Sequence, residues 1–147
     1  MPRITIQRRV EAPLAQVFSV LADSETFAAA LPHVVGHEFL TEQHQGVGTR
    51  FRETRLMNGK EEVTDLEVTE FVENDHVRVV TDSHGTIWDT VMSTAASGEH
   101  TELELVMDAR GHKLLTKLLN PLIMGMVRKA VATDVDLIKA YCEDGGR

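Results

Sequence analysis

The segment LLNPLIMGMVRKAVATDVDLIKAYCE, Leu118–Glu143, decides how the rest of this sequence is interpreted. Proline is favoured at the first position of a helix, so Pro121 predicts the start of a long helix with Asn120 as its N-cap. The residue before a proline avoids helical geometry, so a separate preceding piece is expected to end near Leu119. At about 100° per residue, many apolar side chains of the long helix share one face. They are Ile123, Val127, Ala130, Val131, Ile138 and Tyr141. This face must be covered by another layer of the fold.

Asp134 lies close to the centre of that apolar face. A buried carboxylate without a partner is costly, so this residue needs a hydrogen-bond donor or water. It is either a structural carboxylate bonded to the neighbouring layer, which is the more common case, or a polar group at the bottom of a cavity. The sequence leaves both interpretations open.

The apolar tract over residues 114–127 is interrupted by polar residues and by Pro121. It is shorter than the roughly 20 residues that a bilayer span requires, so we expect no integral membrane association. The first residues show no apolar segment typical of a signal peptide, and we therefore expect a cytoplasmic protein. The net charge of −8 argues against nucleic acid as a partner, because a nucleic-acid binder needs a basic face.

The chain upstream of the long helix begins with a strand and continues with two short helices. After them, apolar and polar residues alternate, as is typical of strands. Residues 3–10 alternate as a half-buried strand, and residues 12–23 and 24–32 predict short helices, the second with Ser24 as N-cap. Asn58-Gly59 is typical of a type I′ hairpin turn. Short links between the strands imply antiparallel pairing. The six further strands are predicted at 34–40, 46–57, 61–72, 75–82, 85–96 and 101–110. Residues 1–147 thus predict one α+β domain with about seven antiparallel strands.

No residue pattern identifies a catalytic or metal site. His33 and His37 are four residues apart, but on a strand this separates them by roughly 13 Å, too far for one ion. Glu53, Asp65 and Glu67 are candidates for paired carboxylates, although a solvated sheet face is the commoner explanation. Cys142 has no obvious activating base. We expect neither a metal nor a cofactor.

The order of several motifs resembles the START-like SRPBCC superfamily, and within it the polyketide cyclase/dehydrase-like subgroup. The matching stretches are VEAPLAQVFSVLADSETFAAALPHV (10–34), GVGTRFRE (46–53), VTEFVEND (68–75), SGEHTELELVMDA (97–109) and the long helix itself. The resemblance covers essentially the whole chain. It implies a helix-grip fold, in which a curved antiparallel sheet wraps around the C-terminal helix and encloses a hydrophobic cavity.

This resemblance also implies which residues contact a ligand. Phe27 and Leu31 are expected at the entrance, and Asp134 is the one catalytic or ligand-orienting candidate, with Arg8 and Glu53 as further polar groups that could face inward. The expected lining is Phe51, Trp88, Met92, Met107, Ile123, Met124, Val127 and Val131. Methionine-rich walls adapt to irregular ligands, although an ordinary core has the same composition.

Members of this superfamily bind and carry lipids or other apolar ligands, cyclise polyketides, or act on chaperones. We therefore expect binding of a hydrophobic small molecule or lipid, with transport as one form that this role can take. One alternative is a cyclase or dehydratase that uses Asp134 as acid or base, although no inward set of Arg, Tyr and Ser was identified to position a poly-ketone. A second alternative is a protein-interaction module with a filled core. The oligomeric state is open, and a dimer is possible.

Overall fold

The computed structural model describes residues 2–83, 85–111 and 121–145, which form one antiparallel sheet and three helices. The sheet has seven strands in the order β1-β7-β6-β5-β4-β3-β2, so β2 to β7 form a meander and β1 pairs with β7. This confirms the predicted α+β helix-grip architecture with its curved sheet. The strands are β1 Arg3–Val10, β2 Val34–Phe39, β3 Arg50–Met57, β4 Lys60–Val72, β5 His76–Ser83, β6 Thr86–Ser97 and β7 His100–Gly111.

Turn residues determine where the strands begin and end. Asn58 and Gly59 both have positive φ, 52° and 80°, as the predicted type I′ turn between β3 and β4 requires. The strand predicted from residue 46 begins only at Arg50. Gly46 and Gly48 have φ of 89° and 96°, a left-handed conformation that interrupts an extended chain. The predicted start of this strand was wrong, because the alternation of apolar and polar residues does not reveal where the backbone bends.

Two short helices, α1 Leu14–Ala22 and α2 Ser24–Ala29, connect β1 to β2 at the opposite edge of the sheet. Asp23, and not the predicted Ser24, is the N-cap of α2. The Asp23 carboxylate accepts hydrogen bonds from the backbone N–H groups of Glu25 and Thr26. Ser24 instead forms a hydrogen bond with the ring of His37, at 2.8 Å.

The long helix, α3 Pro121–Glu143, packs its apolar face against the sheet, as its periodicity predicted. Val131, Val135, Ile138 and Cys142 are buried. Burial raises the pKa of the Cys142 thiol to about 11, so it remains protonated near neutral pH. The start of the helix at Pro121 is as expected, whereas the proposed N-cap Asn120 and the preceding helical piece lie outside the described residues.

Exposed ion pairs connect elements at the edge of the helix contact and on the outer sheet face. The Arg8 guanidinium binds the carboxylate of Asp136 on α3 at 2.7 Å, so Arg8 fastens β1 to the helix at the exposed edge of their contact. Asp65 pairs with Arg52 on the outer sheet face. None of the described helices is long and apolar enough to cross a membrane.

We predict that Asp23→Ala lowers the free energy of unfolding by about 0.5–2 kcal/mol, because two N–H groups of α2 lose their acceptor. Asp23→Asn is the control, since its amide oxygen can still cap the helix. Urea denaturation of both variants measures the difference. Equal stability of Asp23→Ala and the native protein would contradict the assignment of this cap.

Candidate functional site

A cavity of about 650 Å³ lies between the concave face of the sheet and α3. Strands β3 to β7 supply most of its walls, α3 covers it, and residues of α1, α2 and the loop before β3 close one side. Because side chains of a strand alternate, each strand contributes every second residue. On β3, for example, the lining residues are Phe51, Glu53, Arg55 and Met57.

Most of the cavity surface is apolar. The strands contribute Leu66, Val68, Val77, Val79, Trp88, Met92, Leu103, Leu105 and Met107, and α3 contributes Ile123, Met126, Val127, Ala130, Val131, Val135 and Ile138. Hydroxyl groups of Thr64, Ser83 and Thr90 interrupt this surface. A volume of this size lies within the range of about 300–1,000 Å³ typical of small-molecule sites.

One charged group of residues stands out on this apolar wall. The Nε of Arg55 donates to Oε1 of Glu53 at 2.6 Å, and its Nη1 donates to Oδ2 of Asp134 at 2.7 Å. All three residues line the cavity. The Glu53 and Asp134 side chains are only 9% and 13% exposed, so these interactions form away from bulk water. The Arg55–Asp134 pair joins β3 directly to α3.

His33 completes this arrangement from outside the lining. Its Nε2 lies 2.9 Å from Oδ1 of Asp134, the carboxylate oxygen that does not bind Arg55. The backbone carbonyl of His33 accepts a hydrogen bond from the N–H of Leu56, which holds the residue beside the end of β3. We refer to Glu53, Arg55, Asp134 and His33 together as the polar cluster.

The environment of the polar cluster favours a permanently charged Arg55. Burial alone would lower the pKa of the Arg55 guanidinium, but the adjacent carboxylates of Glu53 and Asp134 raise it above its ordinary value. Burial of an ion pair costs desolvation energy that only good geometry and further hydrogen bonds can offset. Here each carboxylate has a donor at hydrogen-bond distance, which meets that requirement.

The cavity opens near the β3–β4 hairpin and the first turns of α3. Met57 and Met126 line the cavity and yet are 46% and 61% exposed, so they lie at its mouth. Leu122, on the same end of α3, is also exposed. The polar cluster is therefore close to the opening, since Arg55 is two residues before Met57 on the same strand face.

The structure brings most of the predicted contact residues together around the cavity. Those that line it are Phe27, Phe51, Trp88, Met92, Met107, Ile123, Val127, Val131 and Asp134. Leu31 was wrongly placed at the entrance: it is 1% exposed and belongs to the packed core next to α2. Met124 also lies outside the described lining, because it packs against the core, and Met126 occupies the cavity wall instead.

Asp134 is bonded to the sheet, as the structural interpretation expects, and it also lines the cavity, although near the mouth and not at the bottom. Sequence reasoning missed Arg55 and His33. The signal for Arg55 was present, because Phe51, Glu53 and Arg55 alternate on one face of β3. His33 had no such signal, because its contact with Asp134 depends on how the chain leaves α2.

The structure also differs from two other expectations, the paired carboxylates and the filled core. Glu53 faces the cavity while Asp65 and Glu67 pair with Arg52 and Arg50 on the outer face, so these acids form no common site. A filled core, which the interaction-module alternative requires, differs from the observed interior. Within the described part of the chain, no group of three His, Cys, Asp or Glu residues is placed to hold a metal ion.

The chain belongs to the polyketide cyclase / dehydrase and lipid transport family, whose model matches residues 1–143. Its structure is similar to that of TTHA0849 from Thermus thermophilus, with 18% identity, a TM-score of 0.81, and coverage of 99% of this chain and 100% of the other. A START superfamily protein from Mycobacterium smegmatis shares 16% identity and a TM-score of 0.80, with 97% of each chain covered.

Ara h 8.0201 has the same fold, with 14% identity, a TM-score of 0.77, and coverage of 96% of this chain and 97% of the other. No match was found among curated proteins. At these identities the neighbouring structures establish the fold alone, and the family fits a role in binding hydrophobic ligands.

We predict that Arg55→Met destabilises the protein by on the order of 3 kcal/mol, because Glu53 and Asp134 would face each other without their shared cation. Arg52→Met is the matched control on the same strand. Its pair with Asp65 is exposed, so its loss should cost less than about 1 kcal/mol.

Urea denaturation of the two variants at neutral pH provides the comparison. If both variants lose the same free energy of unfolding, Arg55 contributes no more to stability than an exposed ion pair does.

Proposed function

We propose that this protein binds a hydrophobic small molecule or lipid in the cavity between its sheet and α3. The observation that supports this most directly is an apolar cavity of about 650 Å³ that carries one concentrated polar cluster. Protein interiors are normally packed with few voids larger than a water molecule. A space of this size with apolar walls is therefore suited to an apolar guest.

The distribution of polarity suggests how such a guest is oriented. The walls around Val77, Leu103 and Ile138 are mostly apolar, so this part of the cavity suits a hydrocarbon chain or ring system. The polar cluster near the mouth would contact the polar end. A small number of placed polar groups in an apolar pocket is the usual basis of ligand orientation and specificity. The accessible mouth is also compatible with uptake and release, which transport requires.

An enzymatic role is the second candidate, and the position of the polar cluster on the cavity wall is the observation that favours it. Asp134, or Glu53, would act as acid or base on a bound substrate. General acid–base catalysis requires a titratable group within hydrogen-bond distance of the reacting atom. This alternative predicts that Asp134→Asn abolishes turnover while binding is largely retained. Under the binding proposal, no turnover exists to be lost.

The binding proposal can be tested by filling the cavity. Ala130 lines it from α3, so Ala130→Phe should place a ring in the empty space and weaken ligand binding at least about tenfold, the equivalent of 1.4 kcal/mol. Trp88 is the single tryptophan and also lines the cavity, so its emission reports occupancy directly. Titration with N-phenyl-1-naphthylamine, an uncharged apolar dye, measures the affinity.

Ala140→Phe is the control, because Ala140 is an exposed alanine of the same helix outside the described lining. It should bind the dye as the native protein does. Native mass spectrometry of gently purified protein would also be expected to show a bound molecule that Ala130→Phe lacks. If the dye does not change Trp88 emission, or binds equally to both variants, the cavity is not the binding site.

A further inference from the structure

We infer that the polar end of the ligand is an uncharged hydrogen-bond donor or a cation, and not an anion such as a carboxylate. This inference rests on the proposed function, since it concerns the specificity of the same cavity. It follows from the charges and the free hydrogen-bonding positions of the polar cluster.

The cavity wall carries more carboxylates than guanidinium groups. Among the lining residues that the structure describes, Glu53 and Asp134 carry carboxylates and Arg55 carries the one guanidinium. Apart from the imidazole of His44, a ligand therefore meets two negative groups and one positive group. The positive group is already bound to both carboxylates, at 2.6 and 2.7 Å.

Two hydrogen-bonding positions of the polar cluster have no partner among the described residues. Oε1 of Glu53 accepts from Arg55, while no described residue donates to its Oε2. Arg55 donates through Nε and Nη1, and no described residue accepts from its Nη2. A hydroxyl group can donate to a carboxylate oxygen and accept from a guanidinium, so it matches the chemistry of either position. Thr64, whose hydroxyl also lines the cavity, is directly opposite Glu53 in the β3–β4 register.

An anionic ligand would fit this site poorly. The Nη2 group of Arg55 can donate to an anion, but the guanidinium charge is already shared between Glu53 and Asp134. If the anion displaced either carboxylate, that side chain would be a charge without a partner away from bulk water, which is strongly unfavourable. Without such displacement, the ligand would lie beside two like charges in a region of low dielectric constant, where repulsion is stronger than in water. An ammonium group would be attracted by the same arrangement.

Three probes of equal chain length separate these possibilities: dodecan-1-ol, dodecylamine and dodecanoate. At pH 7.5 the amine is a cation and the acid is an anion, so they differ chiefly in the charge at the polar end. Binding is measured by Trp88 emission and by displacement of N-phenyl-1-naphthylamine, below the aggregation concentration of each probe. We expect dodecanoate to bind at least about tenfold more weakly than dodecan-1-ol, and dodecylamine to bind at least as tightly as dodecan-1-ol.

Asp134→Asn and Asp136→Asn form a matched pair of variants. Each removes one carboxylate from α3, but Asp134 lines the cavity while Asp136 pairs with Arg8 on the outside. The ratio of dodecanol to dodecanoate affinity should fall several-fold in Asp134→Asn and should not change in Asp136→Asn. Using a ratio removes any general effect of reduced stability, and Glu53→Gln gives a second, independent measurement of the same kind.

The possible outcomes distinguish this inference from the proposed function. If all three probes bind with similar affinity, or dodecanoate binds most tightly, the inferred specificity is wrong while the cavity remains a binding site. An equal change of the ratio in both aspartate variants also overturns the inference, because it would reflect net charge alone. If none of the three probes binds and the uncharged dye also fails, the proposed function itself is wrong.

Discussion

The ion pair between Arg55 and Asp134 is the interaction on which the two layers of this structure depend near the cavity. At the C-terminal half of α3, Val135, Ile138 and Cys142 press the helix against the sheet. Nearer its N-terminus, Ile123, Met126 and Val127 line the cavity. The long side chain of Arg55 reaches from β3 to Asp134 on α3. This charged contact adds a direct link between the sheet and the helix beside the cavity.

This arrangement has a consequence for the chemistry of the cavity. Because the polar cluster is largely shielded from solvent, the carboxylates of Glu53 and Asp134 and the guanidinium of Arg55 interact more strongly with a ligand than surface charges would. The same shielding makes every unpaired charge costly, which is why Glu53, Arg55, Asp134 and His33 occur as a connected group. The charged groups of the wall lie together near the mouth, and most of the remaining wall is apolar. The cavity therefore has a direction, with one end suited to polar groups and the other to hydrocarbon.

The fold that this chain shares with its structural neighbours does not by itself explain ligand specificity. Structures with 14–18% identity to this chain superimpose over nearly its whole length, so widely different sequences form the same sheet and helix. Specificity must therefore come from individual wall residues. In this chain the polar cluster is the clearest such feature, since it is charged, buried and accessible from the cavity.

The sequence by itself determined the elements of this fold and the face that each presents. Alternation placed Phe51, Trp88, Met92 and Met107 on the concave side, and helical periodicity placed Val127, Val131 and Asp134 opposite them. These properties are local, because they follow from the geometry of one strand or one helix. The N-cap at Asp23 and the late start of β3 were missed, since both depend on backbone angles that neighbouring residue types do not specify.

Only the tertiary structure decided which inward residues meet and where space remains between them. Arg55 and Asp134 are 79 positions apart, and their contact depends on the distance between β3 and α3. Leu31 belongs to the packed core, and Met126 lies on the cavity wall where Met124 was expected, because Met124 packs against the core instead. A period in the sequence gives the direction of a side chain, whereas the packing of two layers determines whether it touches protein or an open cavity.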